Sequence, residues 1–256
     1  MIVKGSGGFP TGYTPICTAH SGTPDMLVDF GILKLDAGEL YVDEEEKERA
    51  FLLIEGKVEI ELEGVFSVIE RYSLLEELPF VVHLPAGMKI ILRGQAEGAE
   101  LSVHKVENPN TFTAKLYGSG DIRTVTLATG KLKSTTERVL RVVLDDKNEP
   151  WSNMTMGELI NKPGLWSSYP PHHHPHPEIY HYRFVPGEGF GYSEEGEKVY
   201  KVHHGDTALL TPHETHCQVA APGYSMLYIW TMPHLKEERF GSESRRFVPE
   251  FSHLLE

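Results

Sequence analysis

Short runs of alternating or wholly apolar residues follow one another along this chain, and glycine and proline separate them. Residues 57–62 (Lys-Val-Glu-Ile-Glu-Leu) alternate strictly, and residues 31–35, 50–54, 80–84 and 88–92 form similar short runs. A period of two is typical of a half-buried β-strand, whereas helical periodicity is scarce here. The 24 glycines and 17 prolines supply turns at the close spacing expected of barrels or sandwiches. The pattern predicts an all-β protein.

The second half of the chain repeats the punctuation of the first at an offset of about 127 residues, which indicates two copies of one β unit. The run at 158–160 corresponds to that at 33–35, the run at 179–185 to that at 50–54, and Pro212 to Pro85. We expect an N-terminal domain over residues 1–133 and a C-terminal domain over residues 134–256, divided in the polar stretch 130–136. The acidic residues 43–48 are interpreted as a solvated loop between strands.

The charge of the chain argues against two classes of partner. With 24 Lys+Arg against 37 Asp+Glu, the formal net charge is -13, which disfavours nucleic acid and anionic lipid, and no basic patch offsets it. No apolar stretch approaches the roughly 20 residues of a bilayer span, and no secretory leader opens the chain. Cys17 and Cys217 lack the spacing of a disulfide framework. We therefore expect a cytoplasmic protein that binds neither nucleic acid nor membrane.

Histidine is concentrated in one part of the chain. Nine of the 14 histidines lie within residues 172–216, where even scattering would place roughly 2.5. In an extended chain His172, His174 and Glu178 have the same parity and can point to one side. About forty residues later, the segment Pro212-His213-Glu214-Thr215-His216 offers a further imidazole. Three imidazoles and one carboxylate suit Zn, Mn, Fe(II), Co or Ni, and the spacing does not choose among them.

These motifs carry a resemblance. His-x-His-x3-Glu, followed by Gly205-Asp206 and Pro-x-x-x-His, resembles the metal motifs of the cupin superfamily, and the two-copy layout resembles a bicupin. Residues 158–172 (Glu-Leu-Ile-Asn-Lys-Pro-Gly-Leu-Trp-Ser-Ser-Tyr-Pro-Pro-His) and 221–224 (Ala-Pro-Gly-Tyr) resemble the 5-deoxy-glucuronate isomerase family of inositol breakdown. Weaker likeness at 84–87 and 110–112 extends the match. One departure is the short segment 175–177, where family members carry a longer insertion beside the metal.

The resemblance implies two tandem cupin barrels (double-stranded β-helix, or jelly-roll), of which only the second binds metal. The first lacks the ligand set and is expected to be structural. The implied ligands are His172, His174, Glu178 and His216. His216 is preferred to His213 because the family places this ligand four residues after the proline. His173 and His176 are expected to be exposed. The implied cofactor is a divalent metal, with zinc as first choice and Mn, Fe, Ni or Co as alternatives.

The implied reaction converts 5-deoxy-D-glucuronate to 5-dehydro-2-deoxy-D-gluconate, an aldose–ketose isomerisation in which the metal is a Lewis acid and a base moves a proton from C2 to C1. Candidate catalytic residues are Tyr180, Tyr182, Arg183 and Gln218. The tyrosines and Gln218 have inward parity. Arg183 is proposed to bind the substrate carboxylate despite its outward parity, and the other cations considered are Lys201, Arg245 and Arg246.

Three other functions remain open at this stage. They are an Fe(II) dioxygenase, the related isomerase of 4-deoxy hexulosuronate, and a non-catalytic cupin that binds a sugar acid. The expected partner in each sugar-acid case is a small molecule. Because edge strands of cupin sheets pair between subunits, we also expect a homodimer or larger homo-oligomer.

Overall fold

The computed structural model describes residues 1–5, 7–22 and 24–254, and nearly all of its regular structure is β-strand. The first ten strands are β1 (Ile2–Val3), β2 (Gly12–Cys17), β3 (Asp29–Leu35), β4 (Leu40–Asp43), β5 (Glu48–Leu62), β6 (Val65–Arg71), β7 (Val81–Leu84), β8 (Ile90–Val106), β9 (Lys115–Tyr117) and β10 (Arg123–Leu127). The second ten are β11 (Arg138–Leu144), β12 (Met154–Asn161), β13 (Trp166–His173), β14 (Glu178–Val185), β15 (Phe190–Glu195), β16 (Lys198–His203), β17 (Thr207–Leu210), β18 (His216–Ala220), β19 (Ser225–Pro233) and β20 (Arg246–Phe247).

The only helical segments in the described residues are three short 3-10 turns, at Lys131–Ser134, Ser242–Ser244 and Pro249–Leu254. Within the same residues, no helix is long and apolar enough to cross a membrane. The predicted all-β class is therefore confirmed. The runs at 50–54 and 57–62 turn out to be parts of one long strand, β5, whose pairing register shifts between Leu53 and Glu55 and again between Gly56 and Val58. Such bulges let one strand serve both ends of a curved sheet.

The strands form three antiparallel sheets. The first barrel is an eight-stranded sheet. Its strand order is β2-β3-β8-β5-β7-β9, and in addition β4 pairs with β8 and β6 pairs with β5. A seven-stranded sheet (β1-β17-β14-β19-β12-β11-β10) faces a five-stranded sheet (β16-β15-β18-β13-β20) in the second. Each barrel has its own apolar interior. This is a tandem arrangement of two jelly-roll barrels, as the repeat predicts.

The sheets do not divide at the predicted boundary between residues 133 and 134. β10 precedes that boundary but pairs with β11, and β1 pairs with β17 of the second barrel. Residues 2–3 and 123–127 therefore belong to the sheet of the C-terminal half. The polar stretch 130–136 is the turn of a hairpin, and a polar turn within a sheet has the same composition as a linker between domains.

A third apolar core joins the two barrels. It contains Phe30, Ile32 and Leu52 from the first half and Ile179 and Ile229 from the second, all buried. Strand β14 is consequently covered on both faces. Its even-numbered residues face the second barrel's interior and its odd-numbered residues face the first barrel. Successive side chains of β14 point to opposite faces, so the residues next to the predicted site residues lie in the contact between the two barrels.

Buried charges reinforce this contact and correct one expectation. The acidic stretch 43–48 is only partly solvated, because Asp43 and Glu48 are buried. Asp43 accepts hydrogen bonds from Arg49 and Lys105. Glu48 accepts from His83 in its own barrel and from Ser152 in the other. These carboxylates are buried because partners from distant strands neutralise or solvate them.

Candidate metal centre

The ends of three strands bring the predicted ligands together. His172 lies near the end of β13 and His216 begins β18, and the two residues are direct cross-strand partners. His174 follows β13, and Glu178 begins β14. The three histidines place one ring nitrogen each within 4.8 Å of one another, and all three are buried. The histidines selected by their spacing therefore form a cluster in the fold, and the pairing of β13 with β18 brings His216 to it.

Hydrogen bonds set the tautomer of each imidazole. Nδ1 of His172 donates to the Ser168 carbonyl at 3.1 Å, Nδ1 of His174 to that of His176 at 2.9 Å, and Nδ1 of His216 to that of Glu214 at 3.0 Å. A carbonyl oxygen only accepts, so Nδ1 carries the hydrogen in all three rings. A neutral ring then has its lone pair on Nε2, so these hydrogen bonds to backbone carbonyls leave Nε2 free to bind a metal.

Burial keeps at least two of these rings neutral. It lowers the pKa of His172 to about 2, assisted by the nearby His216 and Arg245, and it lowers the pKa of His216 to about 4. Both values lie well below the ordinary value near 6.5. A metal ion binds only unprotonated imidazole. His172 and His216 are therefore in their ligating form at neutral pH.

Glu178 completes the group. Its Oε2 atom lies 3.1 Å from Nε2 of His174 and 3.5 Å from Nε2 of His216, and it accepts a hydrogen bond of 2.9 Å from the Tyr180 hydroxyl. Nε2 of His216 has no hydrogen-bond partner although it is buried. With their hydrogens on Nδ1, these nitrogens present lone pairs to a carboxylate, which is repulsive unless a cation lies between them.

The spacing of these atoms fits a metal ion. Bonds of about 2.0–2.2 Å to nitrogen and oxygen separate neighbouring ligand atoms by about 3.0–3.5 Å, and the contacts of Glu178 with His174 and His216 lie in this range. The unpartnered Nε2 of His216 gives the same indication independently. The described residues thus contain a histidine triad that could hold a metal ion, with a carboxylate beside it.

A cavity of about 120 Å³ opens beside the cluster. His172, His174, Glu178 and Tyr180 line it. The other residues that line it are Leu127, Arg138, Leu140, Leu159, Ser168, Tyr228, Trp230, Met232, Phe240 and Arg245. The lining combines an apolar wall with a few polar groups, as is typical of small-molecule sites.

Tyr182 and Gln218 point inward as predicted but do not line this cavity. Both are buried, and the Tyr182 hydroxyl donates to Oε1 of Gln218 at 2.6 Å. Two residues along a strand correspond to about 6.6 Å, so Tyr182 lies one layer deeper in the barrel than Tyr180. The structure therefore places them beneath the site, where they support it.

Arg183 is not at the cavity, and its expected contact with a substrate carboxylate is corrected. Its guanidinium forms an ion pair with Glu100 of the first barrel, and Nη1 lies 3.1 Å from Nε2 of His204. The physical reason is the strand alternation itself, which directs odd-numbered residues of β14 to the contact between the barrels.

The other histidines divide as follows. His213 is exposed, in agreement with the choice of His216 as ligand, and His173 is half-buried. His176, expected to be exposed, is fully buried. Its Nε2 donates to the Glu238 carbonyl at 2.7 Å, and Phe240 packs against it. The segment after β19 covers this loop, and the local sequence does not reveal that cover.

The cavity wall also contains three residues that were not predicted from the sequence: Arg138, Tyr228 and Phe240. A signal for Arg138 was present in the sequence. Arg138, Leu140 and Val142 are two residues apart along β11 and therefore point to the same side of the strand. Phe240 had no such signal, since it lies outside any strand.

Fold and site together define a bicupin whose second barrel carries a candidate centre of three histidines and one glutamate. The model of the KduI/IolB family matches residues 2–250. The chain therefore belongs to the KduI/IolB family, and it is an isomerase of the KduI/IolB type.

Three relatives illustrate the similarity. A protein of Geobacillus kaustophilus named 5-deoxy-glucuronate isomerase is 25% identical over 233 residues, which cover 82% of either chain. The crystal structure of an IolB-like protein from Salmonella typhimurium superposes with a TM-score of 0.87 at 19% identity, covering 100% of this chain and 99% of that one. Oxalate decarboxylase of Bacillus subtilis, which has Mn(II) centres, has a TM-score of 0.58 at 10% identity and covers 86% and 71%.

Proposed function

We propose that the protein is a divalent-metal-dependent isomerase that converts 5-deoxy-D-glucuronate to 5-dehydro-2-deoxy-D-gluconate, a step of myo-inositol breakdown. The observation that carries the proposal is the group of three imidazoles with Nδ1 tied to carbonyl oxygens, beside one carboxylate and a cavity. The names of the curated relatives supply the substrate.

The residues that would hold the ion are His172, His174, Glu178 and His216. Their nitrogen and oxygen donors suit zinc as well as manganese, and the Mn(II) centres of the oxalate decarboxylase support manganese as an alternative to zinc. When bound, the ion supplies positive charge that polarises a carbonyl group and makes loss of the adjacent proton easier.

Tyr180 is the side chain best placed to act on substrate oxygens. It lines the cavity, and its hydroxyl lies between Oε2 of Glu178 and Oγ of Ser168, at 2.9 and 3.2 Å. Burial, followed by the charge of Glu178, raises its pKa well above the ordinary value. The phenol therefore stays protonated, and its single hydrogen is donated to Glu178. It can stabilise negative charge on a substrate oxygen when the hydroxyl turns from the carboxylate to that oxygen.

The test compares metal content and turnover in the wild type, His174→Ala and His213→Asn. His213 is a matched control because it is an exposed histidine in the motif loop with a φ of 65°, a conformation that asparagine tolerates. We expect about one divalent ion per chain in the wild type and in the control, and loss of metal and turnover in His174→Ala.

Each alternative result has a distinct meaning. An unchanged metal content in His174→Ala contradicts the site. Metal without turnover of 5-deoxy-D-glucuronate indicates a binding protein, and consumption of oxygen with a bound iron indicates a dioxygenase. Turnover of a 4-deoxy hexulosuronate, but not of 5-deoxy-D-glucuronate, supports an isomerase activity with a different substrate.

A further inference from the structure

Two arginines from distant parts of the chain line the cavity beside the metal centre. Arg138 begins β11, and Arg245 directly precedes β20. Arg138 is only 9% exposed. Its Nη1 donates to the Thr136 carbonyl at 2.8 Å, whereas its buried Nε has no partner. Nε of Arg245 is likewise buried without a partner. Both guanidinium groups therefore retain donors for something that enters the cavity.

Arg138 differs from every other buried arginine of the described residues, because it has no carboxylate. The others form ion pairs: Arg49 with Asp43, Arg71 and Arg141 with Glu158, and Arg183 with Glu100. Within residues 1–5, 7–22 and 24–254, no carboxylate lies within 4.0 Å of Arg138 or Arg245. In a chain with a net charge of -13, counter-ions are abundant, so a buried arginine without one is an unusual feature.

The two positive charges also affect each other. Burial and then the charge of Arg245 lower the pKa of Arg138. Two like charges near one cavity are costly to keep together when neither has a counter-ion. An anion bound between them removes this cost. Arginine suits a carboxylate because its fork of N–H groups matches the two oxygens.

We propose that Arg138 and Arg245 form a subsite that binds the carboxylate of a sugar acid. The proposal deepens the proposed function, on which it rests for the substrate class, and it assigns the cation that an acidic protein needs for an anionic substrate. The polyol part of the ligand then lies toward His172, Glu178 and Tyr180 along the same cavity. The subsite is assembled only when the segment after β19 returns to pair β20 with β13.

The test measures binding of D-glucuronate and of its neutral amide, D-glucuronamide, by isothermal titration calorimetry. The proteins are the wild type, Arg138→Gln, Arg245→Gln and Arg246→Gln. Arg246 is the matched control, because it is the exposed neighbour of Arg245, binds the Glu243 carbonyl and does not line the cavity.

We expect the wild type and Arg246→Gln to prefer glucuronate to the amide. Arg138→Gln and Arg245→Gln should each weaken glucuronate binding by about 10- to 100-fold, the effect of losing a charge-assisted hydrogen bond, and leave the amide unchanged. Arg245 is only half-buried, so its variant keeps the proposal testable if Arg138→Gln fails to fold.

Three results would overturn the subsite: no preference for glucuronate in the wild type, unchanged binding in Arg245→Gln, or an equal loss in Arg246→Gln. This outcome is separable from that of the proposed reaction. Arginine-dependent binding without turnover of 5-deoxy-D-glucuronate supports the subsite and contradicts the proposed reaction. Turnover of 5-deoxy-D-glucuronate with an unchanged KM in Arg138→Gln and Arg245→Gln supports the proposed reaction and contradicts the subsite.

Discussion

Glu158 provides the most direct test of how the two barrels hold together. It is fully buried on β12 and accepts hydrogen bonds from Arg71 of the first barrel at 2.6 and 3.0 Å and from Arg141 of the second at 3.0 Å. The same guanidinium groups bind carbonyls of residues 74, 75 and 77. One carboxylate thus pairs with two buried cations and holds a loop of the first half against the second, while the carbonyl contacts stabilise the remaining positive charge.

Substitution Glu158→Gln keeps the shape of this side chain and removes its charge. Two buried guanidinium groups then face an amide, and losing one partner of a buried ion pair costs about 3–5 kcal/mol. With a urea m-value of about 3 kcal/mol/M, the midpoint of unfolding should fall by about 1–1.7 M. The measurement is urea denaturation followed by circular dichroism and tryptophan fluorescence.

The matched control is Glu70→Gln, which removes a surface ion pair with Lys57 at 2.7 Å. Both side chains are more than a third exposed, so solvent screening makes the effect of this substitution small. A loss in Glu158→Gln no larger than that of the control would refute the reasoning. It would mean that the carbonyl contacts alone satisfy both arginines.

Three further predictions concern packing, acid stability and thiol reactivity. Gly157→Ala should destabilise the protein by about 1–3 kcal/mol in a urea titration, because a Cβ there would lie 2.0 Å from the Arg141 carbonyl oxygen, while Gly120→Ala, in open space, should be neutral. Burial lowers the pKa of His104 to about 3 and that of His181 well below its ordinary value. As the pH falls below about 6.5, these two histidines are therefore protonated in the unfolded chain before they are protonated in the folded one, which lowers the stability of the folded protein. The Tm should drop by about 5–10 °C between pH 7 and pH 5. A flat Tm would show that these rings are not buried. Burial also raises the pKa of both cysteine thiols, so iodoacetamide at pH 8 should label the native protein far more slowly than the urea-unfolded one, and equal rates would contradict the packing.

Much of the ligand set could be predicted because its signals are local. His172, His174 and Glu178 lie within seven residues, and the parity of an extended chain places them together without knowledge of the rest of the fold. His216 could be chosen over His213 only through the resemblance to a family. Its position opposite His172 depends on the pairing of β13 with β18.

The cations could not be predicted in the same way. Arg183 lies beside the ligand strand in sequence, yet it faces the other barrel and pairs with Glu100. Arg138 and Arg245 are more than a hundred residues apart and line one cavity. Whether an arginine is available to a ligand depends on whether a carboxylate has already reached it, and this requires the position of every acidic group nearby.

The sequence by itself determined the all-β class, the tandem repeat and the spacing of the candidate metal ligands, because period-two alternation and short separations act within one strand or turn. The tertiary structure alone decided which strands close each barrel, the burial of His176, Asp43 and Glu48, and the pairing of the arginines. These are long-range properties. A buried charge or imidazole is stable only with partners, and in this fold the partners come from strands that are distant in the chain.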